Sequence, residues 1–205
     1  MIFSKGGIMR RTPVSWTRRL AILAAAAAVC GLATVRGQTS DTKEQFTAFA
    51  VNLAGGASAR AGTVEMTVER WSSDAERDEL RTALLEKGPD GLLSALQKTK
   101  RVGYIRTPDS IGYDLHYARQ VPREDGGRRI VLATDRRIGF WEAVNRPRTI
   151  DYPFTIIELR VDQSGTGEGK MSIATKITMD PDTKVLELED YASQPVLLES
   201  VRKMK

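Results

Sequence analysis

The chain has one cysteine, Cys30, and one histidine, His116, among 205 residues. A lone cysteine closes no disulfide within the chain, and one imidazole cannot build a zinc site. No G-x-S-x-G elbow places a serine for nucleophilic attack. Aromatic residues make up only 6%. The longest apolar run, Leu20–Val35, has 16 residues, fewer than the roughly 20 that a spanning helix needs. Basic charge is also scarcer than the net +5 suggests. Residues 1–37 hold six of the 31 basic groups and none of the 26 acidic ones, so residues 38–205 hold 25 basic and 26 acidic groups. A nucleic-acid binder therefore does not follow from charge.

What is present begins with an export layout. A basic zone ends at Arg19, Leu20–Val35 is apolar, and small residues lead to Gly37 before the polar Gln38-Thr39-Ser40-Asp41. This order predicts a signal peptide over 1–37 and a periplasmic or extracellular protein. No membrane span remains after cleavage. Val29 stands where a lipoprotein signal wants Gly, Ala or Ser, which argues against lipid anchoring through Cys30. Residues 38–45 read as a loose lead-in and 46–205 as one domain.

The dominant period of that domain is two. Val64, Met66 and Val68 alternate with polar residues, as do Ile111, Tyr113, Leu115 and Tyr117, then Met171, Ile173 and Ile177. Such alternation reads as antiparallel strands with one face buried. The expected strands are 46–53, 62–71, 101–107, 111–121, 129–135, 138–144, 153–162, 170–179, 184–191 and 195–202. Turn residues separate them, among them Thr107-Pro108-Asp109-Ser110 and Glu124-Asp125-Gly126-Gly127. The glycine-rich Ser164–Lys170 reads as a hairpin loop, because a strand and not a helix follows it.

One stretch departs from the rhythm. Ser73 with Glu76 is a capping box, and Leu80, Ala83 and Leu84 share a helical face. Gly88 reads as a stop and Pro89 as a second start, carrying Leu92, Leu93 and Leu96. The fold class is therefore α+β and mainly β: an antiparallel meander forming a barrel or strongly curved sheet, with a two-helix insertion at about 73–98.

Few residues offer chemistry. Alternation sends His116 to the face opposite Tyr113, Leu115 and Tyr117, toward water. Asp180-Pro181-Asp182 lacks the further ligands of a calcium loop, and neither a metal nor a cofactor is implied. The densest unusual cluster is Thr134–Glu142. There Arg136, Arg137 and Trp141 combine fixed positive charge with an aromatic face, suited to an anionic headgroup. Tyr104, Tyr113 and Tyr117 on strand positions join them as candidate pocket walls.

The segments V-E-R-W-S-S-D-A-E-R (68–77), R-V-G-Y-I-R-T-P (101–108) and T-D-R-R-I-G-F-W-E-A (134–143) resemble those of secreted bacterial proteins of unknown function, with a signal peptide and one domain of this size. That resemblance implies no activity and no site. The residues themselves favour an exported, non-enzymatic domain that binds a small apolar or amphipathic ligand. A protein-interaction module of the cell envelope is the second expectation. A hydrolase built on carboxylates such as Asp114, Asp135 and Glu142 is the third. Nothing in the sequence sets an oligomeric state.

Overall fold

The computed structural model describes residues 43–52, 60–136, 138, 153–180, 186–190 and 194–205. The expected signal peptide, Cys30, the strand at 138–144, Arg137 and Trp141 fall outside them, apart from the single residue Ile138.

Among the described residues, ten strands and one helix follow in chain order. They are β1 (Glu44–Asn52), β2 (Arg60–Val68), α1 (Asp74–Lys98), β3 (Gly103–Arg106), β4 (Tyr113–Leu115), β5 (Tyr117–Pro122), β6 (Arg128–Thr134), β7 (Phe154–Val161), β8 (Thr166–Met179), β9 (Leu186–Asp190) and β10 (Val196–Lys203). All strand pairs are antiparallel, in the order β4-β3-β2-β1-β10-β8-β7-β6-β5, with β9 added to β8.

The two ends of this path, β4 and β5, are separated by His116 alone. Nine strands laid flat would put their outer members about 38 Å apart, so the sheet must bend until its ends meet. A second contact requires the same bend. Glu44 on β1 and Arg128 on β6 lie four strands apart along the path, about 19 Å in a flat sheet, yet their side chains bond at 2.5 and 3.1 Å.

The expected barrel is nevertheless not formed. At the seam one chain segment changes partner, since Leu115 pairs with Gly103 of β3 and Tyr117 with Ala133 of β6. His116 contributes one backbone bond to Ala133, 2.9 Å, where a closed ladder would continue.

The inner face carries the core. Phe46, Met66, Ile105, Leu115, Ile130, Leu132, Ile157, Leu159 and Met171 are fully buried there. Burying such side chains at about 25 cal/mol per Å² is the main source of stability in a domain whose described residues hold no cysteine.

Two irregularities decide which residues reach this core. Between Phe154↔Thr175 and Ile156↔Ser172, β8 holds one residue more than β7. That bulge turns Ile177 away from the face of Met171 and Ile173, because a one-residue shift exchanges the two faces of a strand. The break at His116 has the same effect: Tyr113 packs on the inner core and Tyr117 on the outer cluster. The sequence expectation put each of these groups on a single face.

The outer cluster lies under the helix. Leu80, Leu84, Leu92 and Leu96 of α1 meet Phe154 and Ile177, with Tyr117, Ile156 and Met179 at its margin. The capping box forms: Ser73 Oγ accepts from the Glu76 amide at 3.2 Å, and Glu76 Oε2 accepts from the Ser73 amide at 2.8 Å. Two separate helices were expected, but the structure has one helical element. Gly88 leaves helical dihedrals (φ 64, ψ −158) and Pro89 follows it. Only glycine takes that φ readily, and both halves turn their leucines to the same sheet face.

The glycine-rich loop is shorter than expected. The turn occupies 162–165 and β8 starts at Thr166, so Gly167 is already paired with Val161. A Cβ at Gly167 would run into the Arg160 carbonyl. Close backbone approach, not looseness, explains that glycine.

Candidate functional site

At the centre of the inner face the side chains are completely buried. Among the described residues, clefts lie toward the ends of strands. One of about 360 Å³ is walled by Arg101, Tyr104, Arg106, Ile111, Gly112, Tyr113, Asp114 and Arg136. Three of the six ligand candidates read from the sequence, Tyr104, Tyr113 and Arg136, thus meet in one cleft. Tyr117 does not join them. It is packed under α1, and burial pushes its phenol pKa above the usual 10.0. Arg137 and Trp141 lie outside the described residues.

The cleft is built by the hairpin β3–β4. Alternation turns Tyr104 and Arg106 outward while Gly103 and Ile105 are buried. Tyr104 thereby meets two guanidinium groups, Arg101 at 5.5 Å and Arg106 at 5.9 Å from its ring centre, within cation–π range. Each arginine is also held from behind. Arg101 reaches Glu69 at 2.6 Å and Asp114 at 3.3 Å, and Arg106 reaches Glu65 at 2.8 Å. The Arg101 hydrogen bond holds the Glu69 carboxyl below its usual range, and the same bond raises the Arg101 pKa.

Arg136 is held more loosely. Its nearest ion-pair partner is Asp135, 3.5 Å from Nε, and its side chain is 65% exposed. At the hairpin turn Gly112 takes φ 91, and a Cβ there would press on the Ile105 carbonyl. Beside it Ile111 is fully exposed. An isoleucine in water next to three arginines joins an apolar surface to a cationic one.

Arg101, Arg106 and Ile111 were missed as site residues in the sequence reading. The signal was available in R-V-G-Y-I-R, where Tyr104 and Arg106 are two apart and so share a strand face. Arg101 precedes the strand, and its place depends on Glu69 and Asp114, which no local pattern announces.

His116 does not face open water as expected. Only 15% of its side chain is exposed, with Nδ1 3.3 Å from the Thr99 carbonyl and Nε2 3.6 Å from Asp135. Both ring nitrogens meet acceptors at the seam. Ser110, the nearest serine in sequence, bonds within its own turn to Thr107. Asp114 and Asp135 have different partners, Arg101 for the one and Arg136 with the His116 ring for the other, and Glu142 lies outside the described residues. Among the described residues no three His, Cys, Asp or Glu side chains converge as a metal site would require. Nor, among them, is any helix long and apolar enough to cross a membrane.

At the opposite end of the segment Tyr113–Pro122 lies a cleft of about 570 Å³ that includes Gln120, Arg128, Asp162 and Lys203. Its charges are already committed. Glu44 takes up both Arg128 and Lys203. The Asp162 carboxyl is held at about 2 by the hydroxyls and amides of Ser164 and Thr166, which brace the β7–β8 turn. The smaller β3–β4 cleft combines loosely held cationic charge, aromatic faces and exposed aliphatic surface.

No family model, curated protein or solved structure matches this chain.

Proposed function

We propose that the chain is an exported, non-enzymatic domain that binds a small amphipathic anion at the β3–β4 cleft. The observation that carries this reading is the meeting of Arg136, Tyr104 and Ile111 at one rim. Arg136 supplies planar donors to a carboxylate or similar headgroup. The Tyr104 ring offers apolar surface to an aromatic or alkyl body, and Ile111 loses its exposure when that body is seated. The cleft is open to solvent, so a ligand reaches it without any opening of the sheet. The basic, apolar and small-residue order of residues 1–37 supports export.

The test is calorimetric titration of the intact protein with 4-butylbenzoate, and with its uncharged amide as control. The carboxylate should bind and the amide at least tenfold more weakly. Arg136→Ala and Ile111→Ser should each weaken the carboxylate several-fold without lowering the melting temperature. Equal affinity for both compounds, or indifference to both substitutions, would overturn the reading.

A further inference from the structure

Strand β8 outruns its neighbours. Its ladder to β10 ends at Met171 and its ladder to β7 at Thr175, so among the described residues Lys176–Met179 pair only with β9. The result is a two-stranded ribbon with distinct faces. Ile177 opposes Leu188 and Met179 opposes Leu186 on one face, while Lys176 opposes Glu189 and Thr178 opposes Glu187 on the other. The helix covers the β8 side of the apolar face, where Ile177 is only 8% exposed. It leaves the β9 side open, with Leu186 and Leu188 each 55% exposed.

Among the described residues no strand pairs with the outer edge of β9. Edges of this kind are usually blunted by charged side chains, lysine above all, by proline or by a bulge. The sequence Leu-Glu-Leu-Glu-Asp has no lysine or proline, its ladder with β8 runs without a register shift, and all its charges are acidic, so the edge repels acidic strands and admits basic ones.

We propose that the outer edge of β9 docks an extended partner segment in which aliphatic and basic residues alternate. Strand addition would satisfy the outward backbone groups and set aliphatic side chains beside Leu186 and Leu188. It would also set Lys or Arg beside Glu187 and Glu189, and opposite charges across a strand pair stabilise it. Charge also selects against a second copy of this chain. Antiparallel self-pairing centred on Leu188 places Glu187 of each copy against Glu189 of the other, and directly opposed like charges are destabilising. Glu189 is already engaged, with Lys176 at 3.9 Å among its partners, so the selection rests on Glu187.

The test uses fluorescence anisotropy on the intact protein with a labelled nine-residue peptide of alternating valine and lysine. The comparison peptide replaces each lysine by glutamate. The basic peptide should bind at least tenfold more tightly than the acidic one. Glu187→Lys with Glu189→Lys should reverse that preference, and Leu186→Ser with Leu188→Ser should weaken the basic peptide several-fold. Circular dichroism melts of each variant report whether the fold is kept, and amide exchange at 186–190 should slow on binding. The proposal is overturned if the two peptides bind alike, if neither binds, or if the charge-reversed protein keeps the original preference. Self-association through β9 in sedimentation, in place of peptide binding, would overturn the choice of partner.

Discussion

Ser72 and Ala118 bond to each other twice. The Ser72 amide donates to the Ala118 carbonyl at 2.8 Å, and the Ala118 amide donates to Ser72 Oγ at 3.1 Å. Both residues are buried, Ser72 at 1% exposure and Ala118 at 0%. Ala118 is the second residue of β5, just past the seam, where β3 no longer supplies a partner. Ser72 thus takes the place of a strand on that edge, one residue before the cap of α1. Arg119 adds a 2.8 Å ion pair to Asp74. The seam and the start of the helix are fixed by the same four residues.

The first prediction concerns that side chain. Ser72→Ala keeps the bond from its own amide but strips the Ala118 amide of its acceptor in a site closed to water. An unsatisfied buried amide costs about 1–3 kcal/mol. Urea unfolding should show a loss of that size, and amide exchange at Ala118 should accelerate more than at Leu132. A loss below about 0.5 kcal/mol would mean that another acceptor replaces the hydroxyl.

Thr67 presents the opposite case. Its side chain is fully buried and its Oγ1 has no hydrogen-bond partner. Valine has the same shape without the hydroxyl, so Thr67→Val removes a desolvation cost and keeps the packing on β2. The expected outcome is a gain of about 1 kcal/mol in unfolding free energy. Thr67→Ala, which leaves a void, should instead destabilise the fold. A destabilised valine variant would show that the hydroxyl is satisfied in solution.

The acid limb of stability should depend on Glu44. Burial pushes its carboxyl pKa up, but the hydrogen bond and charge of Arg128, and then of Lys203, outweigh burial and leave it below 4.5. A carboxylate lowered in the folded state adds stability at pH values above its unfolded pKa. That contribution is lost as pH falls through the folded value. The native protein should therefore lose stability on acidification below about pH 4.5, and Glu44→Gln should flatten that part of the curve. At neutral pH the same variant should be less stable by about 3 kcal/mol, because Arg128 keeps its charge without its partner. Native and variant curves that stay parallel from neutral to acid pH would refute this assignment.

The strands themselves were legible wherever the alternation ran unbroken. Val64, Met66 and Val68 are inner-face residues in both sequence and structure, because β2 keeps one register with β1 along its full length. The capping box at Ser73 was equally legible, since it depends on residues three apart. Ile177 and Tyr117 were misplaced because each lies past a single-residue irregularity, and alternation cannot see one inserted residue. The open seam had no local signal, for it depends on which strand stands beside Ala118. Tyr104, Tyr113 and Arg136 were identified singly, but their convergence needed the turn at Gly112 and the pairing of Arg101 with Asp114.

The last prediction follows from the bulge in β10. Val196, Leu198 and Val201 are the buried residues of that strand, a spacing of two and then three that an even strand cannot produce. Both neighbouring ladders register the extra residue: Phe49↔Glu199 is followed by Thr47↔Arg202, and Leu198↔Gly169 by Val201↔Gly167. Ser200 sits in the bulge with φ 51, the only non-glycine residue with positive φ among those described. Left-handed backbone is strained for a residue with a Cβ and free for glycine, a difference of about 1 kcal/mol. Glycine also loses more chain entropy on folding, which takes back part of the gain. Ser200→Gly should therefore stabilise the protein by about 0.5 kcal/mol, and Ser200→Val should destabilise it by more than 1 kcal/mol, since a branched side chain resists that conformation further. Chemical unfolding of the three proteins gives the order glycine, serine, valine if the bulge sets the backbone. If valine is tolerated as well as serine, the bulge relaxes in solution and the inward turn of Val201 needs another cause.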